Sequence, residues 1–156
     1  MNQNLPFEVL RQLRAQGKTL ATAESCTGGL IGKLLTDVPG SSEVYMGGVI
    51  SYTNGVKHRL LGVSEATLRV YTAVSRQTAH EMARGAREAV RADVGVSVTG
   101  LAGPDGDGTG RPIGLVYIGI DMEGFSFSQE LHLTGDRAAI REQAAEAVLN
   151  MILEYA

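Results

Sequence analysis

The 156-residue chain has one cysteine, no tryptophan, three histidines and four prolines, and aromatic residues make up only 5% of it. The single Cys26 excludes an internal disulfide and suits a reducing compartment, so a cytoplasmic protein is expected. The formal net charge is −3 and no dense run of Lys and Arg occurs. With so few aromatics, this argues against nucleic acid as a partner, because such surfaces need a basic footprint or stacking platforms. Apolar runs are short and broken by glycine, which argues against a membrane span. The start, Met1-Asn2-Gln3-Asn4-Leu5-Pro6, lacks the basic head and apolar core of a signal peptide. No group of His, Cys, Asp and Glu has metal-ligand spacing, so neither a metal nor a cofactor is expected.

What is present is ordinary globular material, 44% hydrophobic and 20% charged, in a length that suits one domain over 1–156. The 20 glycines are the exception. They gather at 28–29, 47–48 and 100–110, which marks loops where backbone comes close to something.

Helical spacing of Leu5, Val9, Leu10 and Leu13, with Gly17 past the end, predicts a helix from Leu5 to Gln16. Thr19 to Glu24 reads as a short strand, followed by a helix with Leu30, Ile31, Leu34 and Leu35 that closes at Pro39-Gly40. Tyr45 to Tyr52 reads as a buried strand. Asn54 to Gly62 and Ser64 to Tyr71 read as short helical turns. Ser75 caps a longer helix to about Ala92. Val94 to Thr99 and Ile113 to Ile120 are strands on either side of the glycine loop, and Phe125 to Leu133 returns as an antiparallel partner after the Met122-Glu123-Gly124 turn. Asp136 caps a last helix carrying Ile140, Ala144, Val148, Met151, Ile152 and Tyr155. Early strands alternate with helices and the last two strands form a hairpin. That order predicts an α/β fold, a mixed, mostly parallel sheet covered on both faces. Such sheets bind ligands at the carboxyl ends of their strands, where the loops after Glu24, Tyr52 and Thr99 would meet.

Ser25-Cys26-Thr27-Gly28-Gly29 places hydroxyls at the positive end of a helix. Free N–H groups of Gly28, Gly29 and Leu30 would suit a phosphate or the oxyanion of a tetrahedral intermediate, and Ser25 would suit a nucleophile with a base at hand. A Ser or Thr there is also the usual N-cap, and the loop alone does not separate these roles. Thr27 suits the cap better and leaves Ser25 for chemistry. Cys26 is the rival nucleophile, but His58, His80 and His132 lie in unrelated contexts, so a small buried residue is the plainer reading.

Tyr52-Thr53-Asn54-Gly55-Val56-Lys57 supplies a lysine that, stripped of solvent, can be neutral and act as the base for Ser25; on a surface turn it would be an ordinary solvated lysine. The third loop carries five glycines between Gly100 and Gly110. It is no P-loop, since no Gly-Lys-Ser/Thr follows, and Asp105 and Asp107 lack the later Glu of a calcium loop. Its length points to function. At Gly135-Asp136-Arg137, either Arg137 or Arg141 could reach an anion, although both also read as solvated helix charges.

Four blocks carry a resemblance: Ala23-Glu24-Ser25-Cys26-Thr27-Gly28-Gly29; Gly48 to Asn54 with Lys57; Ser97 to Gly106; and Gly135-Asp136-Arg137 with Arg141. Together they resemble the CinA C-terminal family across essentially the whole chain. The resemblance implies a three-layer α/β/α sandwich and nicotinamide-nucleotide amidase activity, in which nicotinamide mononucleotide (NMN) and water give nicotinate mononucleotide and ammonia in pyridine-nucleotide recycling. It implies Ser25 as nucleophile, Lys57 as base and Tyr52 positioning or relaying the proton. Thr27, Gly28, Gly29, Thr99, Gly100 and Gly103 would line the substrate site, with Arg137, or else Arg141, on the substrate. It also implies a homodimer or larger assembly. Many members carry a large molybdopterin-binding-like N-terminal domain, so this chain is expected to be a stand-alone form or an excised domain. The rival expectation is a nucleotide-binding regulatory domain, linked to competence or DNA damage, that does not hydrolyse.

Overall fold

The structure, a computed structural model, describes residues 2–156. Helix α1 (Leu5–Gln16) has proline in its first turn, where a missing N–H costs nothing, and ends on Gly17 in the left-handed region. Strand β1 (Leu20–Glu24) and helix α2 (Leu30–Thr36) follow. A 3₁₀ turn (Ser41–Glu43) leads into β2 (Tyr45–Ile50). Next come α3 (Asn54–Leu61), α4 (Glu65–Val70) and α5 (Arg76–Val90), each N-capped by the residue before it (Thr53, Ser64 and Ser75). Strands β3 (Val94–Gly100), β4 (Leu115–Met122) and β5 (Phe125–His132) then precede α6 (Arg137–Tyr155), which Asp136 caps.

The five strands form one sheet in the order β2-β1-β3-β4-β5. β1 is parallel to both β2 and β3, while β4 is antiparallel to β3 and to β5, so β4 alone runs against the rest. Helices α1, α2 and α6 cover one face, around a core of Leu10, Leu13, Ile31, Val96, Ile118 and Leu149. Helices α3, α4 and α5 cover the other, over Ala21, Ala23, Leu61 and Met82. The mixed, mostly parallel three-layer sandwich expected from the sequence is the fold observed.

Two details place the site. Glu24 pairs with Ile50 on one side and Val98 on the other, so β1 and β2 end level, β3 runs two residues further to Gly100, and their following loops share one rim. Strand β2 departs from expectation: it lies at the sheet edge, shorter than Tyr45 to Tyr52, and Met46 and Ile50 alternate outward with Gly48. Its apolar composition suggested burial on both faces, but an edge strand has no second neighbour to cover it.

Small residues bring α5 close to the sheet and to α3. A Cβ on Gly85 would fall 2.0 Å from the carbonyl oxygen of Leu61, at the end of α3. Gly85→Ala gains roughly 1 kcal/mol of helix propensity. It must also push the two helices apart, so a net loss of about 1–3 kcal/mol is expected, measured as a lower urea midpoint with an unchanged m-value.

Candidate active site

The shared rim holds a cavity of about 270 Å³ whose walls include Ser25, Cys26, Tyr52, Lys57, Thr99 and Arg137. Ser25 continues the line of β1, its amide donating to the Val98 carbonyl at 3.0 Å. The chain then turns sharply, with Gly28 at φ +59 and Gly29 at φ +106, conformations that favour glycine; a Cβ on Gly29 would also press on Ile50 at 3.2 Å.

Lys57 arrives from α3. The Thr53 hydroxyl caps that helix by accepting from the Val56 amide at 3.4 Å, and Gly62 closes it in the left-handed region. The side chain is 1% exposed. Its Nζ donates to the carbonyls of Ser51 at 2.8 Å and Tyr52 at 3.3 Å, and lies 3.0 Å from Ser25 Oγ. No ion pair includes it among the described residues. Burial lowers its pKa from 10.5 to about 8, and only the nearby Cys26 thiol pulls slightly the other way. A neutral amine has two N–H bonds and one lone pair. With both hydrogens on the two carbonyls, the lone pair faces the Ser25 hydroxyl, which is the geometry of a base beside its nucleophile.

Cys26 is buried, and burial pushes its thiol up to about 11 against the opposing effects of its own amide, Lys57 and Arg141. It therefore stays protonated at neutral pH. No histidine comes to it: His58 bonds the Val63 carbonyl, His80 bonds Ser126 and His132 bonds Glu130. No cluster of three or more His, Cys, Asp or Glu able to hold a metal occurs among the described residues.

The glycine amides are not free, contrary to the expectation from the loop. The Gly28 amide donates to the Ser25 carbonyl at 3.1 Å and that of Leu30 to the Thr27 carbonyl at 3.1 Å. The Gly29 amide donates to Glu24 Oε1 at 3.2 Å. Thr27 is fully buried and gives its hydroxyl to the same Glu24 oxygen at 2.7 Å. Thr27, Gly28 and Gly29 thus shape the turn from behind and lie outside the cavity walls.

The remaining candidates divide in the same way. Thr99 and Gly100 reach the cavity, but the Thr99 hydroxyl donates to the Ala73 carbonyl at 2.8 Å, and Gly100 is small because a Cβ would meet Val116 at 2.6 Å. Arg137 lines the cavity, donating to the Gly103 carbonyl at 2.6 Å and to the Tyr52 hydroxyl at 3.3 Å. Arg141 instead grips the nucleophile loop from α6, with Nε 3.0 Å from the Cys26 carbonyl and Nη2 2.9 Å from that of Thr27. Tyr52 is 60% exposed, and its ring makes no hydrogen bond to Ser25 or Lys57; its main-chain carbonyl makes the contact with the base.

Residues 2–156 match the family model described as the CinA C-terminal domain. The chain belongs to the CinA C-terminal domain family. A relative from Enterobacter agglomerans named nicotinamide-nucleotide amidohydrolase PncC is 49% identical over 142 residues, covering 90% of this chain and 87% of the relative. A CinA-like protein of Gloeothece citriformis is 46% identical over 153 residues, 95% of this chain but 36% of its own length. A protein of Caldanaerobacter subterraneus whose name refers to competence-damage induction gives 44% over 147 residues, with 94% of this chain and 36% of its own length covered. The chain therefore spans little more than a third of the length of those last two. Among solved structures, a CinA superfamily protein of Escherichia coli superposes with a TM-score of 0.96 at 34% identity, covering 99% of this chain and 90% of that one.

Three residues of this CinA domain escaped the sequence reading. Glu24 ends a fully buried strand, and a lone acid in that position next to a helix start was a capping signal. Ser51 is pinned to the Glu24 carbonyl through its amide at 2.7 Å and its hydroxyl at 3.2 Å, and in turn presents its own carbonyl to Lys57. Arg111 ties the far end of the glycine loop to Thr72, Val74 and Tyr71, a long-range contact with no local signature.

Proposed function

We propose that the domain is an amidohydrolase that cleaves the carboxamide of NMN, with Ser25 as nucleophile and Lys57 as base. The observation that carries the reading is the buried Lys57 amine at 3.0 Å from the Ser25 oxygen, with two carbonyls taking its hydrogens. The similarity to the relative named nicotinamide-nucleotide amidohydrolase supports the substrate.

Ser25 Oγ bonds to the carboxamide carbon as its proton passes to Lys57 Nζ. Among the described residues the Cys26 amide has no acceptor outside its own residue, and it belongs to a cavity-lining residue. It takes the oxyanion role first expected of Gly28 and Gly29, a contribution of about 10²–10³ in kcat for one donor. Lys57 returns the proton to the departing nitrogen and ammonia leaves. Water then attacks the acyl-enzyme, again yielding its proton to Lys57, which passes it to Ser25 Oγ as the ester bond breaks and nicotinate mononucleotide is released. Arg137 at the rim is the cation for the substrate phosphate, oriented by Gly103 and Tyr52. Arg141 holds the loop instead.

The test is incubation with NMN, nicotinamide riboside and nicotinamide, following ammonia and the acid product. Turnover of NMN is expected to be fastest, because only NMN carries the phosphate. Binding of NMN by calorimetry without ammonia would sink the amidase and favour a nucleotide-binding regulatory role.

A further inference from the structure

We infer that Glu24 is a positioning residue, an internal anion whose carboxylate fixes the nucleophile loop so that Ser25 meets Lys57; the inference rests on the reading of Ser25 as nucleophile. Glu24 is 2% exposed at the end of β1. A carboxylate in that place is costly unless hydrogen bonds replace its water. Four donors do so: the Thr27 hydroxyl at 2.7 Å and the amides of Gly29 at 3.2 Å, Ile31 at 2.9 Å and Gly32 at 3.0 Å. All four belong to the segment just past Ser25. The side chain preceding the nucleophile thus ties down Thr27, Gly29, Ile31 and Gly32 in the segment that follows.

Three further hydrogen bonds make this a matter of aim as well as of folding. The Glu24 carbonyl receives both the amide and the hydroxyl of Ser51, and the Ser51 carbonyl receives Lys57 Nζ, so the strand end that carries the nucleophile also sets the perch of the base. Arg141 also grips the carbonyls of Cys26 and Thr27. The loop is thus held by an anion on its amides and a cation on its carbonyls, with Ser25 at its start. Because Glu24 already takes the amides of Gly29, Ile31 and Gly32, those donors cannot also receive a substrate phosphate.

Glu24 can be reached without crossing the active site. It lines a second cavity of about 220 Å³ with Thr22, Gly29, Gly32, Tyr45 and Gly48, none of which borders the Ser25 cavity. A small carboxylate can therefore enter the space left by Glu24→Ala while the substrate cavity stays free.

The experiment uses the full chain and two readouts. One is steady-state hydrolysis of NMN. The other is the labelling rate of Ser25 by a fluorophosphonate, in which the serine oxygen bonds to phosphorus, fluoride leaves and the proton passes to Lys57; this readout does not depend on the natural substrate. Glu24→Ala is expected to lose about 10²-fold in kcat and in labelling rate, as a misplaced nucleophile does, with little change in KM. Formate is expected to restore both rates in the variant and leave wild type unchanged, while chloride at equal ionic strength restores neither. The pH midpoint of kcat/KM should match wild type, because Glu24 makes no contact with the Lys57 amine. A folded Glu24→Ala protein with wild-type rates, or a loss that formate does not relieve, would overturn the assignment. If the alanine variant does not fold, Glu24→Gln keeps the size but only one acceptor oxygen for four donors; wild-type labelling in that variant overturns the assignment equally. Wild-type protein that is labelled at Ser25 but inert to NMN defeats the substrate proposal alone, and the labelling rates still decide the role of Glu24.

Discussion

Ser25→Ala should hydrolyse NMN on the order of 10⁴- to 10⁶-fold more slowly than wild type, in the range seen when the nucleophile of a serine hydrolase is removed. NMN should still bind with similar affinity, because Arg137, the cation proposed for its phosphate, is held by Gly103 and Tyr52 and not by the hydroxyl. The variant should also fold, since the change removes only the contact with Lys57 and leaves that amine its two carbonyl partners. A neutral hydrogen bond of this kind contributes about 1 kcal/mol. Rapid quenching with hydroxylamine should trap the hydroxamate of nicotinate mononucleotide from wild type and none from Ser25→Ala. The alternative role for Ser25, a plain helix cap, predicts the reverse pattern: a loss of stability with turnover retained in the folded fraction. The contacts already count against a cap, because the Glu24 carboxylate, and not the Ser25 hydroxyl, accepts the amides of Gly29, Ile31 and Gly32 at the start of α2. A rate for Ser25→Ala within about tenfold of wild type would remove the covalent mechanism.

Much of this was legible in the residues. Polar caps at Ser75 and Asp136 fixed two helix starts to the residue, because a side chain that accepts from the first-turn amides is a local device. The alternation of strands and helices was enough to place the loops after β1, β2 and β3 on one rim, and the pairing of Glu24 with both Ile50 and Val98 is that arrangement in register. What local sequence could not reveal was which donors were already in use. The amides of Gly28, Gly29 and Leu30 look available in a strand-glycine-helix pattern, but the carbonyls of Ser25 and Thr27 take those of Gly28 and Leu30, and the Glu24 side chain takes that of Gly29. The two arginines were likewise inseparable by sequence. They lie one turn apart on α6, and only the packing of that helix sends Arg137 to the cavity and Arg141 to the loop behind it. β2 was misread as buried because apolar content does not say whether a strand is central or at an edge.

Lys57→Met should lower kcat/KM by about 10²–10⁴-fold, the usual contribution of a general base, and Lys57→Arg should do no better, because a guanidinium remains protonated. Wild type should show kcat/KM rising with unit slope at low pH and levelling off near the lysine's pKa of about 8, since only the neutral amine can accept the serine proton. The same shift must appear in stability. The unfolded lysine titrates near 10.5 and the folded one near 8, so between those values the unfolded chain binds more protons and stability rises with pH. The contribution is fully present above 10.5, is lost as the pH falls to about 8, and amounts to about 3 kcal/mol across that window. Cys26 acts in the opposite sense at high pH, because its folded pKa is raised from 9.0 to about 11. It is present in both proteins, so the difference in unfolding free energy between wild type and Lys57→Met reports chiefly the lysine, together with its smaller effect on Cys26. That difference, from urea titrations at pH 7, 8, 9 and 10, should shift steadily in favour of wild type above pH 8. A difference that stays flat across the series would mean that the amine keeps its ordinary affinity for protons in the folded protein, and it could not then serve as the base.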